Sequence, residues 1–404
     1  MRTRCLLLLL LSAICFSTPA SLWAQAKVKL NAYSTVKPAR DAAGNIAKPS
    51  DAAAVSSLAT FTYNLTSSRD ENSYTGAMVG QDPFSSGFTA TTVTTPIVPL
   101  IITFNSVATG INKKGILTRT KGRITFDPTV ADTACLSAPN DVPLTLTQQS
   151  PIFQANNFQF GPTAVGDTQY IDAFQRANFW QFVGGTDYHT LLNPVVFQPV
   201  VLNIKSADGV AIPASLFGTC GSLGIVTMRT LDAILTGTVL PQLAAKGVDT
   251  SQFPIFLLYN TVMSGGLPED LNKCCILGFH GSTGSPIQTY SPVDFEASGL
   301  FASSVHDTSI MAHEVGEWMD DPFGNNPTPA WGHTGQVAGC QTNLEVGDPL
   351  TGTNIPPVVG ANGFTYNLQE LVFFSWFYGA PSIAVNGWFS DNNTFTADAG
   401  AVCQ

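Results

Sequence analysis

The sequence predicts an α+β protein, a β-rich N-terminal region followed by a domain organised around one short helix. Three observations predict it. Residues from Leu58 to about Ile124 are rich in Thr, Val and Ile and alternate in places, as in Ala59-Thr60-Phe61-Thr62-Tyr63. Residues 167–182 carry apolar side chains mostly at three- and four-residue steps. Residues 307–320 read as a helix that carries His and Glu side by side in a chain poor in both.

Each element can be justified in order. Arg2 and Arg4 precede a leucine-rich run, Cys5 to Phe16, and Ala24-Gln25-Ala26 offers a cleavage site, so residues 1–26 read as a secretory signal. That run is too short to span a bilayer, and no later segment reaches the required length of about 18 apolar residues. Residues 27–57, rich in Ala, Ser, Lys and Pro, read as a linker or leader. Residues 58–212 form the β-rich region. In it, Thr91 to Phe104 is a strand that Pro96 and Pro99 push towards a sheet edge, and Asp167 to Phe182 is a helix buried along Tyr170, Ile171, Phe174, Ala177 and Phe182. Residues 213–404 form the second domain. It is expected to hold a helix over Gly224–Lys246 broken near Pro241, then strands at Phe253–Val262, Cys274–Phe279 and Ile287–Phe295. The helix Asp307–Asp320 comes next, with Asp307 as its N-cap and Pro322 as its stop.

Composition narrows the function. Of 404 residues only 11% are charged, while 44% are hydrophobic and 10% aromatic, which excludes a disordered chain. The net charge of −10 leaves no basic face for nucleic acid and no polybasic patch for anionic lipid. Export also sets how the cysteines read. Cys135, Cys220, Cys274, Cys275, Cys340 and Cys403 remain after the signal is removed, and an even count in an oxidising compartment favours disulfides. Cys274 and Cys275 are expected to take separate partners.

The chain has seven Glu and five His, yet residues 306–345 hold three of each: His306, His313, His333, Glu314, Glu317 and Glu345. At the centre lies Met311-Ala312-His313-Glu314-Val315-Gly316-Glu317-Trp318. A helix turns about 100° per residue, so His313 and Glu317 share a face one turn apart and can reach one metal ion. A His-Glu-Glu set would cancel the charge of a divalent ion, making it a weaker Lewis acid than a two-His set and bringing manganese, calcium or magnesium into competition with zinc. Asp321 continues the same stripe as a further ligand or an orienting group, and His306 and His333 are weaker candidates. His280-Gly281-Ser282-Thr283-Gly284-Ser285 does not match a nucleophile elbow and reads as a turn between strands.

His313-Glu314-x-x-Glu317 resembles the HExxH motif of the zincin metallopeptidases, with Glu where the second His stands. The order of a helix, three strands and the motif helix is similar too. The resemblance implies a zincin-like domain in which Glu314 is the general base and a downstream residue is the third ligand. Glu345 fills that place 28 residues beyond Glu317, with Asp348 as its alternative. His-Glu-x-x-Glu, Asp320-Asp321-Pro322, Trp331 and Glu345-x-x-Asp348 also resemble secreted exordium-like (phosphate-induced) proteins.

The expectation is therefore a secreted or periplasmic metal-dependent hydrolase, a peptidase acting on a peptide or protein substrate. His313, Glu317 and Glu345 would bind one divalent ion, zinc first and manganese or calcium after it. The alternatives are an inactive zincin-like binding or structural module, and a carbohydrate-active enzyme using paired carboxylates among Glu314, Glu317 and Asp321.

Overall fold

A computed structural model describes residues 30, 32–136, 138, 141–301, 304–332, 340–401 and 403. The expected secretory signal, residues 1–26, and His333 lie outside them. The described residues are 38% strand and 20% helix, and their centre is a closed seven-stranded barrel. This corrects the α+β expectation of a β-rich region followed by a zincin-like domain.

Around the barrel the strands run Cys274–Thr283, Thr261–Ser264, Leu223–Thr227, Gly209–Ile212, Ala90–Ile111, Ile255–Tyr259 and Gln288–Phe295. The last pairs back on the first, antiparallel, with Gly278 opposite Val293 and Gly281 opposite Tyr290. Closure leaves these seven strands paired on both sides. The strand Ala90–Ile111 explains why the expected division fails. Along its 22 residues it pairs with Leu117–Phe126, His189–Val196 and Val200–Ile204 as well as with its two barrel neighbours. Strands from both sides of residue 212 thus enter one sheet. Pro96 and Pro99 lie inside this strand, not at an edge.

The strands carry two cores, one on each face. Ile255, Leu257 and Tyr259 pack towards the helix Ser309–Asp320, while Phe256 and Leu258 pack with Leu231, Leu235 and Leu243. This strand is buried at every position, so its sequence shows an unbroken apolar run and no alternation.

The local differences have local causes. The run expected as one strand from Phe253 to Val262 breaks at Asn260, whose φ of 44° is open to Asn and turns the chain into a new strand. The helix expected from Gly224 begins at Met228, because Leu223–Thr227 is a barrel strand and Thr227 caps the helix by accepting from Thr230 N. Ahead of Pro241 the helix widens into a π turn at Leu235–Val239. Proline has no N–H to return to the preceding turn.

The helix Ser309–Asp320 is buried at all twelve positions. One side lies on the barrel strands Cys274–Thr283 and Gln288–Phe295, and another meets the helix Tyr170–Asn178. Trp318 stacks on Phe253 with 3.8 Å between ring centres, and its Nε1 donates to Thr289 Oγ1 at 3.1 Å. Asp307 is not the N-cap. Thr308 holds that position, and the Asp307 carboxylate accepts from Thr308 N and Asn367 N.

Three disulfides join Cys135 to Cys220, Cys274 to Cys275, and Cys340 to Cys403. The adjacent cysteines pair with each other, which corrects the expectation of separate partners. Among the described residues no helix is long and apolar enough to cross a membrane.

Candidate metal centre

Two residues of the helix face one way together. His313 Nε2 lies 3.0 Å from Glu317 Oε1, as their one-turn spacing requires. The segment after Cys340 brings Asp348, whose Oδ1 is 3.6 Å from His313 Nε2. That segment is fixed by Leu344 N to Asn326 O, by Val372 N to Val346 O, and by Gly347 N to Glu317 Oε1 at 3.3 Å. Gly347 must lack a side chain, since a Cβ there would sit 2.6 Å from the His313 ring.

A second histidine faces the helix from the barrel wall. His280 lies within the strand Cys274–Thr283 and is fully buried, not in the turn that its Gly/Ser-rich surroundings suggested. Its Nδ1 is 3.5 Å from Glu314 Oε2 and 3.6 Å from Glu317 Oε2. The edge strand Tyr33–Lys37 shows how it comes to face this way. Tyr33 pairs with Ile276 but Ser34 pairs with Gly278, so the wall carries a bulge between them. Ile276 faces one core; past the bulge Gly278 faces the helix, with its Cα so close to Glu314 that a Cβ would meet that side chain at 2.9 Å. His280 lies two residues on, on the same face.

The back of each imidazole sets its tautomer. Gln369 donates through Nε2 to Gly347 O at 2.7 Å, so its Oε1 is the acceptor that meets His313 Nδ1 at 3.0 Å. His280 Nε2 meets the backbone oxygen of Asp321 at 3.1 Å, and a carbonyl can only accept. The neutral rings therefore turn bare nitrogens, His313 Nε2 and His280 Nδ1, towards carboxylates. Both nitrogens and Glu314 Oε2 are buried with no hydrogen-bond partner. Lone pairs facing carboxylate oxygens in a dry interior repel unless a proton or a metal ion joins them.

The electrostatics say the same. Glu314, Glu317, Asp320, Asp321, Glu345 and Asp348 are all buried. The main charge influences on them come from one another and from the two histidines, with no Lys or Arg among them. Burial raises Glu314 and Glu345, and pushes Asp348 and Asp321 up to about 7. Burial also acts to raise Glu317, but His313 and His280 outweigh it and hold that carboxyl low. With protons as the only cations, the same carboxylates overcome burial and lift both histidines to about 10. Buried anions in this number call for a cation.

His313, Glu317 and Asp348 can converge on one ion, and so can His280, Glu314 and Glu317. In each set the ligand atoms all lie within 4.8 Å of one another. The donors fit a divalent ion.

The remaining sequence candidates are placed elsewhere. Glu345 belongs to neither set. It lies beside Glu317, which helps raise its pKa, and accepts from Asn343 Nδ2 at 2.7 Å. Glu314 turns its two oxygens to Ser34 Oγ and to His280. Asp321 spends its oxygens on the backbone N–H groups of Asn325 and Asn326. His306 borders a separate cavity of about 620 Å³ beside Cys135, Cys220 and Asp307. A cleft of about 600 Å³ opens on the centre itself, edged by Ser34, Lys273, Gln341, Glu345 and Asp348.

His280, Gln369 and Ser34 were not anticipated. The signal for His280 was a histidine continuing a strand whose preceding residues are all apolar or Gly. No family model, curated protein or solved structure matches the chain.

Proposed function

We propose that this chain is an exported metal-dependent hydrolase that cleaves peptide bonds, with an ion held by His313, Glu317 and Asp348. The observation that carries it is the bare, buried His313 Nε2 facing two carboxylates beside a 600 Å³ cleft. The likeness of His313-Glu314-x-x-Glu317 to the zincin motif supports peptides as substrate. Three disulfides support an oxidising compartment.

A bound divalent ion would polarise the scissile carbonyl and activate water. Zinc is the first candidate; two anionic ligands keep manganese and calcium competitive. Gln369 fixes the His313 ring so that Nε2 serves as ligand. Glu345, oriented by Asn343 at the cleft edge, takes the proton from the attacking water, so it serves as base and not as the third ligand. Glu314 faces Ser34 and His280 and stays out of that step.

A binding or structural module with a buried ion is the second reading, favoured by the near-complete burial of every ligand. Metal analysis of protein from an exporting host, beside Glu317→Ala, and a peptide-library screen decide between them. Bound zinc lost in Glu317→Ala, with turnover lost in Glu345→Gln while zinc stays, supports the hydrolase. Full occupancy without turnover supports the module, and turnover that survives Glu345→Gln but not Glu314→Gln returns the base to Glu314. No bound divalent ion in the wild type, calcium included, sinks the metal-hydrolase reading.

A further inference from the structure

We propose that the centre takes two divalent ions, the second held by His280, Glu314 and Glu317, with Glu317 bridging the pair. The inference rests on the proposed single-ion hydrolase and extends it to residues which that reading leaves idle.

His280 carries the argument. Its Nε2–H is committed to the Asp321 carbonyl, so the neutral ring presents a lone pair at Nδ1. That nitrogen is fully buried, has no hydrogen-bond partner, and looks at Glu314 Oε2 and Glu317 Oε2 from 3.5 and 3.6 Å. Glu314 Oε2 is likewise buried and unpartnered. Ser34 Oγ donates to the other Glu314 oxygen and so aims Oε2 at His280. Gly278 leaves the room that this approach needs. The arrangement repeats that of His313, where Gln369 fixes the far nitrogen and the near one faces Glu317 and Asp348.

The two sets share only Glu317, and they use different oxygens of it. Oε1 faces His313 and Oε2 faces His280. A carboxylate shared in this way suits an ion on each oxygen, and paired ions in hydrolytic centres stand about 3.5–4 Å apart. Charge agrees. Glu314, Glu317 and Asp348, with Glu345 beside them, supply four of the six buried negative charges around the centre when ionised. One ion alone would leave more of these buried anions uncompensated than two ions would, which a dry interior penalises. One imidazole and two carboxylates per ion suit zinc or manganese.

The test is the stoichiometry of the full, disulfide-bonded chain after chelation, titrated with Zn²⁺ and separately with Mn²⁺. Two equivalents are expected in the wild type, and one in His280→Gln, in Glu314→Gln and in Asp348→Asn. Electron paramagnetic resonance of the Mn²⁺ form should show a coupled pair in the wild type and an isolated ion in His280→Gln. Saturation at one equivalent, with an uncoupled Mn²⁺ signal and no change in His280→Gln, overturns the second ion. If Asp348→Asn then loses that single equivalent, the first site stands alone. No bound ion in the wild type overturns both readings. Should His280→Gln fail to fold, the wild-type stoichiometry and the near-isosteric Glu314→Gln still decide.

Discussion

Removing the ions should make the protein's stability fall steeply with pH. In the ion-free chain Asp320 is raised to about 8, by burial first and by Asp321 as well, and Asp348 is raised to about 7 by burial and by Glu317. Their folded-state pKa values lie above those of the unfolded chain, so the folded state holds protons that the unfolded state releases. The stabilisation from these protonated carboxyls is complete below the ordinary carboxyl pKa of about 4 and is lost as pH rises through 7 to 8. Each such group costs up to about 1.4 kcal/mol per pH unit across that window. Bound ions replace the protons at Asp348 and its neighbours, so the slope should flatten. Ion at 100 times its dissociation constant adds about 2.7 kcal/mol. For a chain of this size, with an unfolding entropy of about 2.1 cal/mol/K per residue, that is a rise of about 3 °C in Tm. The assay is differential scanning calorimetry at pH 5 and pH 8, with chelator and with saturating zinc. The gain from zinc should be larger at pH 8, where protons compete less for Asp348 and the two histidines than at pH 5. Equal melting temperatures with and without zinc at both pH values, or a stripped protein more stable at pH 8 than at pH 5, would refute the reasoning.

Two further substitutions probe the frame around the centre. Gly347→Ala places a Cβ where the His313 ring leaves only 2.6 Å, so we expect at least tenfold weaker zinc binding and a loss of about 1–3 kcal/mol by denaturant titration; unchanged zinc affinity would show that the ring has room to move. Trp318→Ala removes the ring stacked on Phe253 and leaves Thr289 without its donor, for an expected loss of about 3–5 kcal/mol. A loss below 1 kcal/mol there would mean that the helix is not anchored through Trp318.

The one-turn pairing of His313 with Glu317 was legible because helix periodicity is local, and Asp348 was within reach as an alternative downstream ligand. His280 was not legible. Counting alternate residues along Cys274–Thr283 sets it on the face of Ile276, and only the bulge marked by the Tyr33–Ile276 and Ser34–Gly278 pairings moves it to the helix side. The barrel was hidden for a related reason. Strands buried on both faces lose the alternation that distinguishes them, and the run from Phe253 to Val262 conceals the turn at Asn260.

By itself, then, the sequence determined the chemistry on offer: few charges, a pair of ligand-type side chains one turn apart, and cysteines enough for three disulfides. Those features depend on residue type and near-neighbour spacing. Tertiary structure decided which groups meet. Cys274–Thr283 and Gln288–Phe295 cover one side of the helix and Tyr170–Asn178 another, and the bulged wall and the Gly347 segment bring His280 and Asp348 to it. These contacts join residues tens of positions apart in the chain. Burial, with no Lys or Arg among the main charge influences from the described residues, then turns an ordinary set of carboxylates into one that calls for a cation.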